Sequence, residues 1–199
     1  AVYDDEGWHP MPYLSQGEFY SEYGSYDVKI TLPANYTVGA TGDLVPGSED
    51  NDAEKSRLDS LAADTKMWVK NQGWKDAENT FPESSQRTKT LHYRQDNVHD
   101  FAWFAYKRYK VLRGTVVLPR DKRKVTTWAM FTPEEGELWQ KAPEYLHDAT
   151  YYYSLWNGNY PYNQVTAVDG TISAGGGMEY PNVTVIGTAR SDSGLDTVI

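Results

Sequence analysis

The chain has 199 residues, of which 39% are hydrophobic and 24% are charged, a balance that suits one or two soluble globular domains. The net charge of -9 argues against nucleic acid or an anionic membrane as the main partner, because an acidic surface repels both. The sequence holds no cysteine, which excludes disulfides, thiolate zinc sites and cysteine nucleophiles. No apolar run approaches the ~20 residues that a transmembrane segment needs.

The first part of the chain predicts one strand and one helix. Residues 26–33 alternate between apolar and polar side chains, a pattern typical of a strand with one face in water. Residues 52–72 repeat apolar side chains with a period near 3.6, which predicts a helix that Asp50 or Asn51 can cap. Because this helix carries few bulky apolar residues, we expect it to pack at the edge of a sheet.

The middle of the chain predicts further strands. Residues 98–106 are apolar on both alternating faces, which indicates a strand that is covered on both sides. Asp100 shares one of those faces and would need hydrogen-bond partners there. Residues 124–131 predict another strand, and we expect the basic run at 120–124 to form a solvated hairpin loop.

The pattern changes at Thr132. Thr132 and Glu135 have the spacing of a capping box, which predicts the start of a helix. This helix is expected to run to about residue 156, with a break at Pro143 and an end at Gly158.

Two strands are predicted after this helix, at residues 164–168 and 183–186. A helix followed by strands, after an all-β stretch, indicates a domain boundary near residue 132. We therefore expect an α+β fold that is mainly β with added helices, divided into domains at residues 1–131 and 132–199.

The end of the chain predicts the beginning of a third helix. Ser193 stands three residues before Asp196 as a cap, and Leu195, Val198 and Ile199 share one helical face. A single helical turn is not stable alone, since nucleation is unfavourable and the gain comes only with length. We therefore expect the chain to be a fragment of a longer protein.

The four histidines predict no metal site. None has the H-E-x-x-H spacing that places two imidazoles on one face of a helix. Glu144 and His147 form an i, i+3 pair, but a metal-binding bundle needs that pair twice. The sequence also lacks the G-x-S-x-G turn of serine hydrolases and the glycine loops of nucleotide-binding proteins.

The stretch SAGGGMEYP at residues 173–181 leads three successive glycines into Glu179. Glycine clusters are typical of turns, so a turn before a strand is one interpretation. The other is the rim of a sheet that a substrate backbone approaches closely, since glycine presents no side chain. These nine residues alone leave both interpretations open.

Four patches, in this order along the chain, are similar to the M1 family of zinc metallopeptidases. They are GEFYSEYGSYDVKITLPANYTVGATGDL at 17–44, NVHDFAWFAYKRYKV at 97–111, NYPYNQVTAVDG at 159–170 and GGGMEYPNV at 175–183. The last patch resembles the Gly-x-Met-Glu-Asn motif that the family carries on an edge strand beside its zinc site. The resemblance covers most of residues 8–48 and 91–199, while residues 49–75 look like an insertion.

This resemblance implies a saddle-like β-sandwich as the N-terminal domain, followed by the beginning of a thermolysin-like α+β catalytic domain of the gluzincin type. It implies a peptide substrate whose free α-ammonium group binds Glu179. The substrate-binding residues that it implies are Gly175, Gly176, Gly177, Met178, Glu179 and Tyr180. Tyr180 stands where the family usually has Asn, so aminopeptidase and endopeptidase activity both stay open.

The family's zinc ligands follow the Met-Glu strand on an H-E-x-x-H helix. The resemblance therefore implies zinc in the parent protein, and no metal, no catalytic residue and no peptide hydrolysis within these 199 residues. It also implies that the remainder of the catalytic domain is a partner of this chain. A chain without cysteine fits a bacterial protein that is periplasmic, attached to the outer membrane or secreted.

Two alternatives accompany this interpretation. One is a non-catalytic β-sandwich that binds glycans or proteins through an aromatic platform, an idea suggested by 16 Tyr and 7 Trp residues. Trp8, Trp74, Trp103 and Trp128 would form the platform, although the strand patterns around most of them favour a place in the core. The other alternative is an inactive M1-like scaffold that binds peptides without hydrolysing them.

Overall fold

Sheets dominate the computed structural model, which describes residues 2–10, 12, 21–172 and 176–199. Its elements in chain order are β1 Val2–Asp4, β2 Gly7–His9, β3 Gly24–Pro33, β4 Thr37–Ala40, β5 Asp43–Leu44, α1 Glu49–Lys70, β6 Thr88–Val98, β7 Trp103–Tyr106, β8 Lys110–Val117, β9 Lys124–Phe131, α2 Gly136–Trp139, α3 Ala142–Asn157, β10 Gln164–Asp169, β11 Gly177–Tyr180, β12 Val183–Ile186 and α4 Asp192–Val198. Short 3-10 turns lie at Gly73–Asp76 and Pro133–Glu135. No sheet in the described part closes into a barrel, and the predicted α+β class is confirmed.

A five-stranded sheet forms the centre of the fold, with the strand order β11-β12-β10-β9-β8. The three inner strands β9, β10 and β12 run parallel, and the outer strands β8 and β11 run antiparallel to their neighbours. Helices α2 and α3 connect β9 to β10, which is the crossover that two parallel strands require. The predicted strands at 124–131 and 183–186 are confirmed, and the one at 164–168 extends one residue further to Asp169.

Helices α2, α3 and α4 cover one face of this sheet. The face is apolar because alternate residues of each strand point to it, for example Ala129 and Phe131 of β9. The ring of Phe131 stacks on that of Trp139 with centroids 5.9 Å apart, and both side chains are buried. Leu146 of α3 and Leu195 of α4 complete the cluster.

Helix α1 and strand β4 cover the opposite face. Strand β4 approaches closely at Gly39, where a Cβ atom would lie 3.0 Å from Cγ2 of Val168, which is tighter than ordinary contact. Helix α1 packs Leu58 against Val111 and Met130. It also covers the outer edge of β8, because the backbone N–H of Val111 donates to the Thr65 hydroxyl at 3.1 Å. The predicted position of this helix at a sheet edge is confirmed.

A three-stranded antiparallel sheet, in the order β3-β6-β5, lies before the central sheet in the chain. Ile30 and Leu32 of β3 are buried. The alternating residues Asp27, Lys29 and Thr31 point to the other face and are exposed to solvent. The predicted strand at residues 26–33 with one face in water is therefore confirmed. Helix α1 is anchored beside this sheet by Glu54, whose carboxylate accepts from Lys89 Nζ of β6 at 2.7 Å.

The central sheet includes strands from both sides of residue 132. Strands β8 and β9 come before that residue, and β10, β11 and β12 come after it, within one hydrogen-bonded ladder. The division into domains at 1–131 and 132–199 stays a prediction. The edge strand that carries Glu179 is thus built on strands from both predicted parts.

Both caps that were predicted for α1 are wrong. The helix begins earlier than predicted, and the hydroxyl of Ser48 caps it by accepting the N–H of Asn51. Asn51 uses its side chain to bind the backbone of Val45 and His92 instead. These tertiary contacts, which the local sequence does not reveal, move the cap to Ser48.

The capping box at Thr132 does not form. The hydroxyl and the backbone N–H of Thr132 both donate to Oδ2 of Asp169, at 2.6 and 2.9 Å, and no N–H of the following turn donates to the Thr132 side chain. The helical segment does divide, but between Trp139 and Ala142 rather than at Pro143, which lies in the first turn of α3. The predicted end at Gly158 is confirmed.

The continuous strand predicted over residues 98–106 is wrong. Strand β6 ends at Val98, and the backbone leaves the ladder where the Asp100 carboxylate accepts the N–H of Phe101 at 2.7 Å. Strand β7 begins only at Trp103, which is 47% exposed. A short polar side chain that binds its own backbone competes with a β-ladder, and it does so here.

Three smaller predictions have mixed outcomes. The cap of α4 is Ser191 rather than Ser193, since its hydroxyl accepts the N–H of Gly194. The basic run does lie in the loop between β8 and β9, as predicted. Of the tryptophans expected in the core, Trp8 and Trp103 are exposed. Trp74 and Trp128 are half-buried.

Candidate functional site

Strand β11 forms one edge of the central sheet. It pairs with β12 in an antiparallel hairpin, with Glu179 opposite Thr184. No strand in the described part of the chain pairs with its other side. Of the six residues implied by the resemblance, Gly176 to Tyr180 lie at or beside this edge, while Gly175 falls outside the described residues.

The hydrogen-bond pattern of the hairpin determines which backbone groups face outward. The N–H of Gly187 donates to the carbonyl oxygen of Gly176 at 2.8 Å. In an antiparallel ladder, residues alternate between bonding to the partner strand and pointing away from it. The backbone N–H and C=O groups of Gly177 and Glu179 therefore point to the open side of the sheet.

The two faces of β11 differ in character. Met178 and Tyr180 share one face, and Gly177 and Glu179 share the other. A Cβ atom on Gly177 would lie 3.9 Å from the carbonyl oxygen of Val198, so the face of Gly177 and Glu179 is the one that α4 covers. The side chain of Glu179 is exposed there at the rim.

Two of the glycines have reasons within the fold itself. Gly176 has a φ of 66°, in the left-handed region that residues with a side chain rarely adopt. A Cβ atom on Gly177 would lie 3.2 Å from Cδ1 of Ile186, which is tighter than ordinary contact. These positions thus let the strand enter the sheet, and they also leave its rim free of side chains.

A groove of about 820 Å³ opens on the face of Met178 and Tyr180. Its opposite wall is β7, whose Phe104 ring lies 6.2 Å from the ring of Tyr180 between centroids. Tyr106 and Tyr109 extend this wall with a second ring contact at 5.2 Å. The groove is therefore lined mainly by aromatic and apolar side chains, with β11 as one of its borders.

One carboxylate, that of Asp169, lies at the floor of the groove. Asp169 ends β10 and is nearly buried, and its Oδ2 accepts both hydrogen bonds from Thr132. Burial, and then the charges of Asp169 and Glu134, raise the pKa of Glu135. Burial, followed by the nearby Asp169, also raises the pKa of Tyr109, whose hydroxyl donates to the backbone oxygen of Asp169 at 3.0 Å. The electrostatic environment of the floor thus disfavours further negative charge.

The histidines are not brought together. His9, His92 and His147 each lie within 2.9 Å of one aspartate, and these partners are Asp4, Asp27 and Asp148. Among the residues that the structure describes, no group of three or more His, Cys, Asp or Glu side chains could hold a metal ion. The described residues therefore do not fit a zinc centre by themselves.

None of the described helices combines the length and the apolarity that a membrane crossing needs.

Comparison with known proteins gives a structural likeness only. No family model and no curated protein matches the chain. Legionella pneumophila aminopeptidase A, solved in complex with aspartic acid, superposes with a TM-score of 0.53 at 12% identity. The match covers 81% of this chain and 16% of the Legionella chain. It establishes a shared fold.

A second solved structure is a two-domain M1 zinc metallopeptidase mutant bound to L-arginine. It matches with a TM-score of 0.49 and 15% identity, over 89% of this chain and 33% of the other. The two similar structures are described as an aminopeptidase and as an M1 zinc metallopeptidase, and this chain spans 16% and 33% of their lengths.

The sequence did not indicate the aromatic groove or its carboxylate floor. Phe104 and Tyr180 are more than 70 positions apart, so only the tertiary fold brings their rings together. One signal was present for Asp169, because an acidic residue directly after an apolar strand marks the edge where parallel strands end. The edge position of Glu179 came from the resemblance rather than from the residues themselves.

Proposed function

We propose that this chain provides the peptide-binding edge of an M1-type zinc metallopeptidase that removes N-terminal residues from peptides. The observation that carries the proposal is the exposed Glu179 on the unpaired rim of β11. The sequence resemblance and the shared fold support the same family. A location outside the cytoplasm stays a prediction from the sequence.

A peptide can bind by adding a strand to this rim. The outward N–H and C=O groups of Gly177 and Glu179 would pair with the peptide backbone, which is β-augmentation. Because Gly177 has no side chain, the peptide meets no obstruction at that position. The pairing gives affinity for an extended chain without regard to its side chains.

Glu179 would then fix one end of the peptide. Its carboxylate can accept charge-assisted hydrogen bonds from a free α-ammonium group, and these are about twice as strong as neutral ones. A peptide held by its amine has its first peptide bond at a constant distance from the rim. Selectivity for N-terminal residues follows from this positioning.

The groove between β7 and β11 is the place for a substrate side chain. Its walls of Phe104, Tyr106 and Met178 favour a large apolar residue. The carboxylate of Asp169 at the floor disfavours an acidic one. We therefore expect the protein to prefer apolar or aromatic side chains over Asp and Glu.

Hydrolysis itself requires more than these residues supply. Zinc would polarise the scissile carbonyl and activate water in such an enzyme. The proposal assigns the zinc ligands and the general base to a part of the protein outside these 199 residues. The role of this chain is to bind, align and orient the peptide.

The binding step can be tested on the 199-residue chain alone. The tripeptide Phe-Ala-Ala and its N-acetylated form are titrated by calorimetry or by amide chemical shifts. The free amine is expected to bind about tenfold more tightly, since a hydrogen bond to a charged group contributes about 1.5–3 kcal/mol. The variant Glu179→Gln should bind both forms equally.

The control is Glu137→Gln, which removes an exposed carboxylate from α2 and should leave the difference intact. In the longer protein, Glu179→Gln should raise KM and lower kcat for an aminoacyl nitroanilide. Equal affinity of the unmodified chain for both peptides would refute the amine-binding role of Glu179.

A further inference from the structure

A two-residue turn, Pro181–Asn182, joins β11 to β12. Asn182 has a φ of 50°, which places its backbone in the left-handed region, and the residue is only 5% exposed. Turns at hairpin tips are usually solvated and variable. This turn is instead buried against residues from the beginning of the chain.

Every polar group of the Asn182 side chain has a partner. Its Oδ1 accepts from the backbone N–H of Gly42 and from Nε2 of Gln164, both at 2.8 Å. Its Nδ2 donates to Oε1 of Gln95 at 3.0 Å. The backbone oxygen of Asn182 accepts the N–H of Thr166 at 3.0 Å.

A second contact fixes the preceding residue. The hydroxyl of Thr41 donates to the carbonyl oxygen of Pro181 at 3.0 Å. The same hydroxyl accepts the N–H of Ala102 at 3.1 Å, so its orientation is determined. Thr41 and Gly42 therefore hold the turn from a position 140 residues earlier in the chain.

We propose that Asn182 is a positioning residue, which sets the placement of the β11 rim by bonding the hairpin turn to Gly42, Gln95 and Gln164. It does not touch the peptide. Within the described residues β11 pairs with one strand, β12, so the contacts at its turn and the ring contact of Tyr180 with Phe104 are important further restraints. This inference rests on the proposed function only where it concerns peptide binding; the positioning of the strand is independent of it.

The chemistry explains why asparagine suits this position. Asparagine offers an acceptor and a donor on one short side chain, and it tolerates the left-handed backbone. Aspartate would keep the two bonds to Oδ1 but lose the donor to Gln95. Glycine would keep the backbone conformation but lose all three side-chain bonds. Both substitutions therefore remove hydrogen bonds of the Asn182 side chain while the turn can keep its backbone conformation.

The test is amide hydrogen exchange on the 199-residue chain, read at Met178 and Tyr180, whose N–H groups face β12. The variant Asn182→Gly is expected to accelerate exchange at both positions by about tenfold or more, because three buried hydrogen bonds are lost. The amides of β9 should change much less. Asn182→Asp, which loses one bond and places a carboxylate at a residue that is only 5% exposed, should accelerate exchange at the same two positions.

Lys122→Gly is the matched control. Lys122 also has a left-handed φ, of 63°, but it lies in the exposed loop between β8 and β9. This variant should leave exchange at β11 unchanged. Uniform acceleration in β9 and β11, or none at Met178 and Tyr180 in either Asn182 variant, would overturn the proposal.

Two further measurements separate this inference from the proposed function. If exchange at β11 rises selectively in Asn182→Gly, the same variant should bind Phe-Ala-Ala about tenfold more weakly, because a displaced rim no longer aligns with the peptide. If the unmodified chain binds no peptide, the proposed function fails while the exchange result still decides the positioning role. In a double-mutant cycle, adding Gln95→Ala to Asn182→Asp should cost little more than Asn182→Asp alone, and full additivity would contradict the shared contact.

Discussion

Removal of the Glu54 carboxylate is the sharpest test of how helix α1 is held. Glu54 is almost completely buried, and it accepts from Lys89 Nζ at 2.7 Å and from Arg57 at 2.7 and 2.8 Å. Lys89 is nearly buried as well and also donates to the backbone oxygen of Tyr36. The variant Glu54→Gln keeps the shape and removes the charge.

The expected loss of stability follows from the charge that stays behind. Arg57 is partly exposed and can turn to water, but the Lys89 ammonium cannot. Breaking a buried ion pair by removing one partner costs about 3–5 kcal/mol. At the lower end, about 3 kcal/mol, the Tm of a chain of this size falls by about 6–12 °C.

The pH dependence gives a second signature. Burial lowers the pKa of Lys89, and the hydrogen bond and charge of Glu54 oppose that shift. Without them the pKa of Lys89 in the folded chain falls further below the ordinary lysine value of 10.5. Between those two values the unfolded chain binds more protons than the folded one, so the unfolding free energy of the variant rises with pH. The loss of unfolding free energy in Glu54→Gln, relative to the unmodified chain, is thus largest at neutral pH and smallest near pH 10.5.

Urea unfolding, followed by tryptophan fluorescence at several pH values, measures both effects. The control is Asp59→Asn on the same helix, which removes an exposed partner of Arg113 and should cost less than about 1 kcal/mol. A cost for Glu54→Gln that is no larger than that of Asp59→Asn would refute the argument from the buried charge.

Three other perturbations have clear expectations. Trp139→Ala should cost about 3–5 kcal/mol in urea unfolding, because it empties the centre of the core beneath the helices, and a cost under 1 kcal/mol would contradict that placement. Gly176→Ala should cost about 1–2 kcal/mol for a side chain at positive φ. Gly158→Ala, far from the rim, has φ 112° and ψ 156°, a conformation that almost only glycine adopts, so it should cost at least as much without changing exchange at β11. Thr65→Val should cost about 1–3 kcal/mol, since it leaves the N–H of Val111 without its partner, and accelerated exchange of that amide would identify the cause.

The strands of the central sheet were predictable because their pattern is local. Residues 124–131 are rich in β-branched and bulky side chains, and the strand has the predicted bounds. The prediction of one strand over residues 98–106 was wrong because the Asp100 carboxylate accepts the backbone N–H of Phe101. A hydrophobicity pattern does not contain this local hydrogen bond. Thr132 does precede the 3-10 turn Pro133–Glu135, but its hydroxyl donates to Asp169, 37 positions later, and makes no capping bond.

The candidate site divides in the same way. The glycines and Glu179 were recognisable as a motif, and the sequence around them predicted a strand edge through its resemblance to a family. The groove, its floor at Asp169 and the network at Asn182 depend on contacts over tens to more than a hundred residues. Such contacts leave no periodic signal in a single sequence.

The two outer strands of the central sheet, β8 and β11, differ in what lies along their outer sides. An edge strand is a hazard because it can recruit a strand from any passing chain. Helix α1 occupies one outward backbone group of β8, since the N–H of Val111 donates to the Thr65 hydroxyl at 3.1 Å. Within the described residues, the outer side of β11 has no partner strand in the central sheet. An extended chain that paired with the rim of β11 would therefore lie beside the Glu179 carboxylate, which favours a positively charged end.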